Sequence, residues 1–168
     1  STAASEIEAL VHNPDELAVA SALTANINKD NQGTLQLSAL GANSFADIPA
    51  PDDPVGLRFN ADGTVSRAEY VVVPAGTSYF NWSASSIVMD TTQTPPVPMK
   101  YVPGQPLEID GWSITLTGTP AAGDKVEVAN ARDFGEAFRL NAGNAGAFLD
   151  LRDKKVFDEG TTLSDGFS

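Results

Sequence analysis

Apolar residues recur at every second position over much of this chain, which is the period of strands with one buried and one wet face. Trp112, Ile114 and Leu116 alternate with Ser113, Thr115 and Thr117. A polar connection, Gly118 to Asp124, precedes a second alternation at Val126 and Val128. The stretch Leu107–Asn130 therefore reads as a β-hairpin, with Trp112 packed inward beside Ile114, Leu116 and Val126. Leu23, Ala25 and Ile27 alternate with Thr24, Asn26 and Asn28, and Leu35 and Leu37 with Thr34, Gln36 and Ser38. The turn residues Lys29–Gly33 between them predict a second hairpin. Val55, Leu57 and Phe59 lead through Asn60–Gly63 to Val65 and Tyr70–Val73, a third hairpin.

Other segments break this rhythm. Ala39–Pro54 has no strong period and reads as a loop. Thr77–Met89 suits a strand with an interruption. Pro95, Pro96, Pro98, Pro103 and Pro106 confine 91–106 to edge strand or loop, because proline cannot donate to a central ladder.

Helical signals lie near the two ends. Asn13 can cap, Pro14 suits the first turn, and Glu16 meets the free N–H groups at the third position, so a short helix through Ala20 follows a short strand at Ile7–Val11. Arg132–Leu140 fits either an irregular turn or a short helix. Asn141–Phe157 reads as a helix with Asn141 or Asn144 as cap and Asp150 placed before Lys154, ahead of a polar tail.

The expected fold is mainly β, a β-sandwich or partly open barrel of antiparallel hairpins with a short N-terminal helix and one C-terminal helix. Its expected division is a β-rich domain over 1–140 and a C-terminal helix and tail over 141–168.

Length, composition and charge narrow the function classes. The chain has 168 residues, enough for one core burying ~70% of the surface its unfolded form exposes. Its run of branched aliphatic residues, Val71–Val73, is far short of the ~20 residues of a membrane span. A formal charge of −12 opposes nucleic acid and anionic membrane. Cysteine is absent, so disulfides and thiolate zinc sites are excluded. The first residues contain neither a basic n-region nor an apolar h-region and no initiating Met, as in a mature or excised chain.

Candidate chemistry is sparse. His12 is the sole histidine, so no His-rich metal site and no G-x-S-x-G nucleophile elbow with its histidine base is spelled out. Asn28, Asp30, Gln32 and Gly33 imitate half of a calcium loop, but Ala39 stands where the bidentate Glu belongs. Asn60, Asp62 and Gly63 read as a turn. No P-loop or G-x-G-x-x-G occurs, and Gly143 and Gly146 lie in an Asn/Ala-rich helix start. The adjacent pairs Asp52/Asp53 and Asp158/Glu159 read as solvated rather than as a glycosidase couple. Trp82 and Trp112 on alternating strands read as core. No catalytic, cofactor-binding or metal-binding residue is assigned.

Two segments resemble a known family. GTPAAGDKVEV, from Gly118 to Val128, is similar to the SGTPAAGD-type segment of flagellar hook-associated proteins. NAGNAGAFLDLRDKKVFDEGTT, from Asn141 to Thr162, resembles the passage that follows it in the FlgK family of hook–filament junction proteins and distinguishes that family from FlgL. HNPDELAVASALTANI also resembles the start of the family's middle region, whereas Ala39–Met99 carries no resemblance. Phe148 and Arg152 stand where the family commonly has Leu and Gln.

The resemblance implies an outer domain of a non-catalytic structural subunit of the bacterial flagellum, at the hook–filament junction. It implies no cofactor, and export to the extracellular flagellum without a cleaved signal peptide. The implied partners are the flagellar hook protein, the second junction protein and a homo-oligomeric ring of the full-length parent, with residues 141–168 leading toward helices outside this chain. By itself the acidic chain is expected to be a monomer, with no nucleic-acid or membrane partner. A carbohydrate-binding or adhesive β-sandwich using Tyr79, Trp82 and Tyr101 is the alternative.

Overall fold

The computed structural model of the chain describes residues 14–143. Helix α1 (Pro14–Ala20) begins at the predicted proline, carries Asp15 and Glu16 in its first turn and packs against strand β2. Strands β1 (Leu23–Ile27), β3 (Val55–Phe59), β4 (Val65–Val71), β5 (Tyr79–Ile87) and β10 (Lys125–Asn130) form a five-stranded antiparallel sheet ordered β1-β10-β3-β4-β5. Strands β2 (Gln36–Ala42), β8 (Pro106–Ile109) and β9 (Trp112–Thr117) form a three-stranded sheet ordered β2-β9-β8. Met89–Asp90 (β6) and Val97–Pro98 (β7) pair in a small ribbon, and helix α2 (Ala131–Gly143) follows β10 directly. The protein is mainly β, its antiparallel sheets are not closed into a barrel, and a short helix stands near each end of the described chain.

Alternation decides which side chains meet. Leu23, Val55, Leu57, Phe59, Val126 and Val128 project from one face of the large sheet into a core shared with Leu107, Ile109, Trp112, Ile114 and Leu116 of the small sheet. Trp112 is 2% exposed and lies with Ile114, Leu116 and Val126, as its alternation predicts. The opposite face of the large sheet carries Ala129, Ala68 and Phe80, which pack against Phe134, Ala137 and Phe138 of α2. Consecutive residues of β10, Val128 and Ala129, thus serve different cores. β10 lies between two covered faces and is itself almost continuously buried.

The hairpin Val55–Phe59 with Val65–Val71 forms as expected. The interruption of Thr77–Met89 is also present: Ala68 pairs with Ser85 but Glu69 pairs with Asn81, so Trp82–Ala84 bulge out of the ladder. The proline-rich stretch supplies only the two-residue β7 and the edge strand β8, as proline at a sheet edge allows.

Two predicted hairpins are corrected. β9 and β10 do not pair with each other, and neither do β1 and β2. β1 pairs with β10 and β2 with β9, so 118–124 and 28–35 are both connections between sheets. Alternation specifies the face a strand buries, and it leaves the partner open. The hairpin within Leu107–Asn130 turns instead at Asp110–Gly111, where φ values of 52° and 86° give the left-handed pair of a type I′ turn between β8 and β9.

Ala39–Pro54 is likewise only partly a loop, since β2 runs on to Ala42. A bulge between Leu37 and Ala39 shifts the phase, so Leu40 and Ala42 reach the core although Leu37 is exposed, and the simple period is lost.

At the C-terminal end, residues 141–143 close a helix that starts ten residues before the predicted cap at Asn141. Asn130 caps it, its Oδ1 accepting the Arg132 N–H at 2.8 Å. The strand expected at Ile7–Val11 and the rest of the helix expected to Phe157 lie outside the described residues.

Trp112→Ala should cost about 3–5 kcal/mol in urea denaturation, because a fully packed aromatic leaves a cavity that rigid neighbouring strands cannot fill. In Trp82→Phe, which leaves Trp112 as the lone indole, emission should stay blue-shifted and resist acrylamide quenching.

Candidate functional site

The most elaborate polar arrangement is a corner where the two inter-sheet connections lie side by side. Eight residues separate Ile27 from Gln36 and eight separate Thr117 from Val126, so the register of one antiparallel ribbon continues through the corner unchanged. Asp124 is 4% exposed and holds this corner. Its Oδ1 accepts the Gln32 N–H, and its Oδ2 accepts those of Gly33 and Ala121, each at 2.9 Å. Burial alone would raise this carboxyl, and the N–H groups of Gln32, Ala121 and Gly33 outweigh it, holding the group below its ordinary value.

The flanking contacts are reciprocal. Thr34 N–H donates to the Thr119 carbonyl at 2.8 Å, and Thr119 N–H to Thr34 Oγ1 at 2.9 Å. Lys125 N–H donates to Asn31 Oδ1 at 2.7 Å while Asn31 Nδ2 donates to the Lys125 carbonyl at 2.9 Å. Gly118 has φ of 86° and lies against Thr34, where a Cβ would strike the Thr34 main chain. Tyr101 closes the outer side, donating its hydroxyl to the Gly118 carbonyl at 2.6 Å.

Beside the corner, on the face of the large sheet away from the sandwich core, Glu127 is 6% exposed. Asn28 Nδ2 donates to its Oε1 at 3.2 Å and Asn26 Nδ2 to its Oε2 at 3.1 Å. Burial raises its carboxyl to about 7, against the opposing pull of those two amides and of Lys125. The Lys125 ammonium lies 5.0 Å from the centre of the Trp82 ring.

The residues singled out in the sequence are not brought together. Asn28–Gly33 is a turn, closed by Asp30 N–H donating to Asn28 Oδ1 and by the Asp124 carboxylate, and those oxygens are thereby occupied. Asp62 caps its own turn, accepting both the N–H and the hydroxyl of Thr64. Asp52 and Asp53 are exposed, with Asp53 3.8 Å from Arg67, whose other partner is Asp110. Trp82 leans on Phe80 across Gly56 in the α2-side core. Tyr101 packs edge-on against Phe59 of the sandwich core, so the aromatic platform required for sugar stacking is split between two faces.

Among the described residues, no group of three or more His, Cys, Asp or Glu is placed to hold a metal ion, and no helix is long and apolar enough to cross a membrane. His12, Asp158 and Glu159 lie outside them. The corner role of Asp124 and the burial of Glu127 were missed in the sequence. Glu127 carries a weak signal there, as an acid flanked by Val126 and Val128 in a strand with two covered faces.

No family profile matches the chain, and no curated protein matches it. Solved structures that it resembles are flagellar junction proteins. FlgL from Xanthomonas campestris is 13% identical with a TM-score of 0.43, over 88% of this chain and 41% of that one. The hook junction protein FlgK from Burkholderia pseudomallei is 23% identical with a TM-score of 0.37, over 65% and 21%. Flagellar hook associated protein-3 from Legionella pneumophila is 16% identical with a TM-score of 0.41, over 84% and 41%. The chain thus spans less than half the length of each.

Asp124→Ala should destabilise the fold by about 2–3 kcal/mol, since three part-buried N–H donors lose a charged acceptor, and Asp124→Asn, which keeps one oxygen, should fall between. Glu127 sets a separate pH dependence. Its folded value of about 7 exceeds its ordinary 4.5, so its contribution to stability is full below pH 4.5 and is lost as pH rises to about 7. Urea denaturation should show a fall of up to about 3 kcal/mol across that window. Glu127→Gln should flatten it.

Proposed function

We propose that this chain is a β-rich domain of a hook–filament junction subunit of the bacterial flagellum, and that its work is structural. The observation that carries the reading is the role of Gly118–Val128, the segment that resembles the hook-associated proteins. Its distinctive residues are committed to architecture: Gly118 to a close main-chain approach, Asp124 to three N–H groups, and Val126 and Val128 to the sandwich core.

On this reading the parent protein is exported to the extracellular flagellum, where it contacts the hook protein, the second junction protein and further copies of itself in a ring. Residues 1–140 form the outer domain, and 141–168 lead toward the helices that pack along the flagellar axis. The carbohydrate-binding alternative is not favoured, because Trp82 and Tyr101 belong to different cores.

Deleting the gene that encodes this chain should leave cells with hooks but without attached filaments, releasing filament protein into the medium, and the intact gene should restore swimming. Normal swimming in the deletion strain overturns the assignment.

A further inference from the structure

The two sheets leave a gap on one side. There a groove of about 610 Å³ runs between the segment Val97–Val102 and the free side of β8. The segment is held to the large sheet, with Met99 N–H donating to the Val88 carbonyl at 2.9 Å and Tyr101 N–H to that of Gly63 at 2.9 Å. Among the described residues, β8 is held to β9 alone. The groove is therefore bounded by one occupied ladder and one open one.

The register fixes which main-chain groups of β8 face the gap. Ile109 and Trp112 close the two-residue turn, so Ile109 and Leu107 exchange hydrogen bonds with β9 while the N–H and C=O of Glu108 point the other way. Pro106 adds a further outward carbonyl. Apolar Val97, Val102 and Leu107 line the groove beside these groups. Val102 is 41% exposed.

Charge selects the occupant. The groove carries the carboxylates of Asp62, Asp90 and Glu108 against the single ammonium of Lys100, which is drawn toward the Asp62 carbonyl at 3.0 Å. Hydrogen bonds from Thr64 to Asp62, and from Thr92 and Gln93 to Asp90, hold both aspartates below their ordinary values and thus charged at neutral pH. A second copy of this chain is a poor fit. Antiparallel pairing of two β8 edges would oppose Glu108 to Glu108, and Pro106 interrupts the donors that such a ladder needs.

We infer that the open edge of β8 and the acidic groove beside it dock a short, extended, basic segment of a partner protein, which adds as a strand against Glu108 and seats apolar side chains on Val97 and Val102. The inference goes beyond the junction assignment and stands or falls without it, since it is read from the edge and groove alone.

The test is a titration of the full, ¹⁵N-labelled chain with a capped heptapeptide alternating lysine and valine, and with its glutamate–valine counterpart. Amide shifts should concentrate at Glu108 and along Val97–Val102 with the basic peptide and be absent with the acidic one. Glu108→Gln keeps the edge and loses the charge, and should weaken binding about two- to fivefold. Glu108→Pro also removes the outward N–H, which β9 does not use, and should abolish binding. Glu108→Lys keeps that N–H and should shift preference toward the acidic peptide, so a decision does not depend on the proline variant folding. Shifts scattered over the acidic surface, equal binding of both peptides, unchanged preference in Glu108→Lys, or self-association that covers β8 in the free chain would each overturn the proposal.

Discussion

The buried carboxylate of Asp124 is the constraint on which the rest of the structure depends. A ribbon of two antiparallel strands leaves the large sheet, turns a corner and enters the small one, and the turning residues cannot satisfy one another through a ladder. Three of their N–H groups would otherwise lack a protein acceptor while partly withdrawn from water, at a cost in stability. One side chain accepts three of them and joins the two connections at the point where each bends. Because the register on either side is the same, the sheets are placed in a fixed relation, and the apolar faces of β9 and β10 meet across the core.

The large sheet is covered on both sides, and the two coverings differ in character. The sandwich side has an apolar centre, with Leu57, Val65, Ile114, Leu116, Val126 and Val128 fully enclosed. The α2 side is mixed: Phe134 and Phe138 meet Phe80 and Ala129, while Glu127 and Asn26 occupy a polar patch between neighbouring strands. Two amides and a nearby ammonium suit a charged carboxylate, yet burial outweighs them and raises the carboxyl to about 7. This patch is the place where the interior of the protein responds most directly to its medium.

Much of the architecture was legible as faces and little of it as partners. The alternation of Trp112, Ile114 and Leu116 states that they are buried, and so they are. Nothing in that alternation distinguishes a partner across a short connection from one on β2, 70 to 79 residues earlier in the chain. The polar connections at 28–35 and 118–124 look like hairpin turns for the same reason that they work as a corner: both need glycine, asparagine and aspartate to manage unpaired main chain. The Asp110–Gly111 pair, by contrast, carried a readable hairpin signal, since both residues tolerate left-handed backbone. The helix after Asn130 was obscured by Gly135 and by a cap that doubles as the last residue of a strand. At the corner, an aspartate in a Gly-Asp sequence says turn, and only the fold shows whose N–H groups it accepts.

The long ribbon also governs the order in which the chain can acquire its shape. Strands β3, β4 and β5 are neighbours in sequence and in the sheet, and can associate through short loops as soon as they exist. β1 and β2 cannot: Leu23 waits for Asn130 and Ala42 for Trp112. Closing such large loops is entropically expensive and slow compared with forming local hairpins. During synthesis β1 and β2 therefore wait for their partners until the ribbon's second arm has been made, and that late arm, 112–130, completes both sheets.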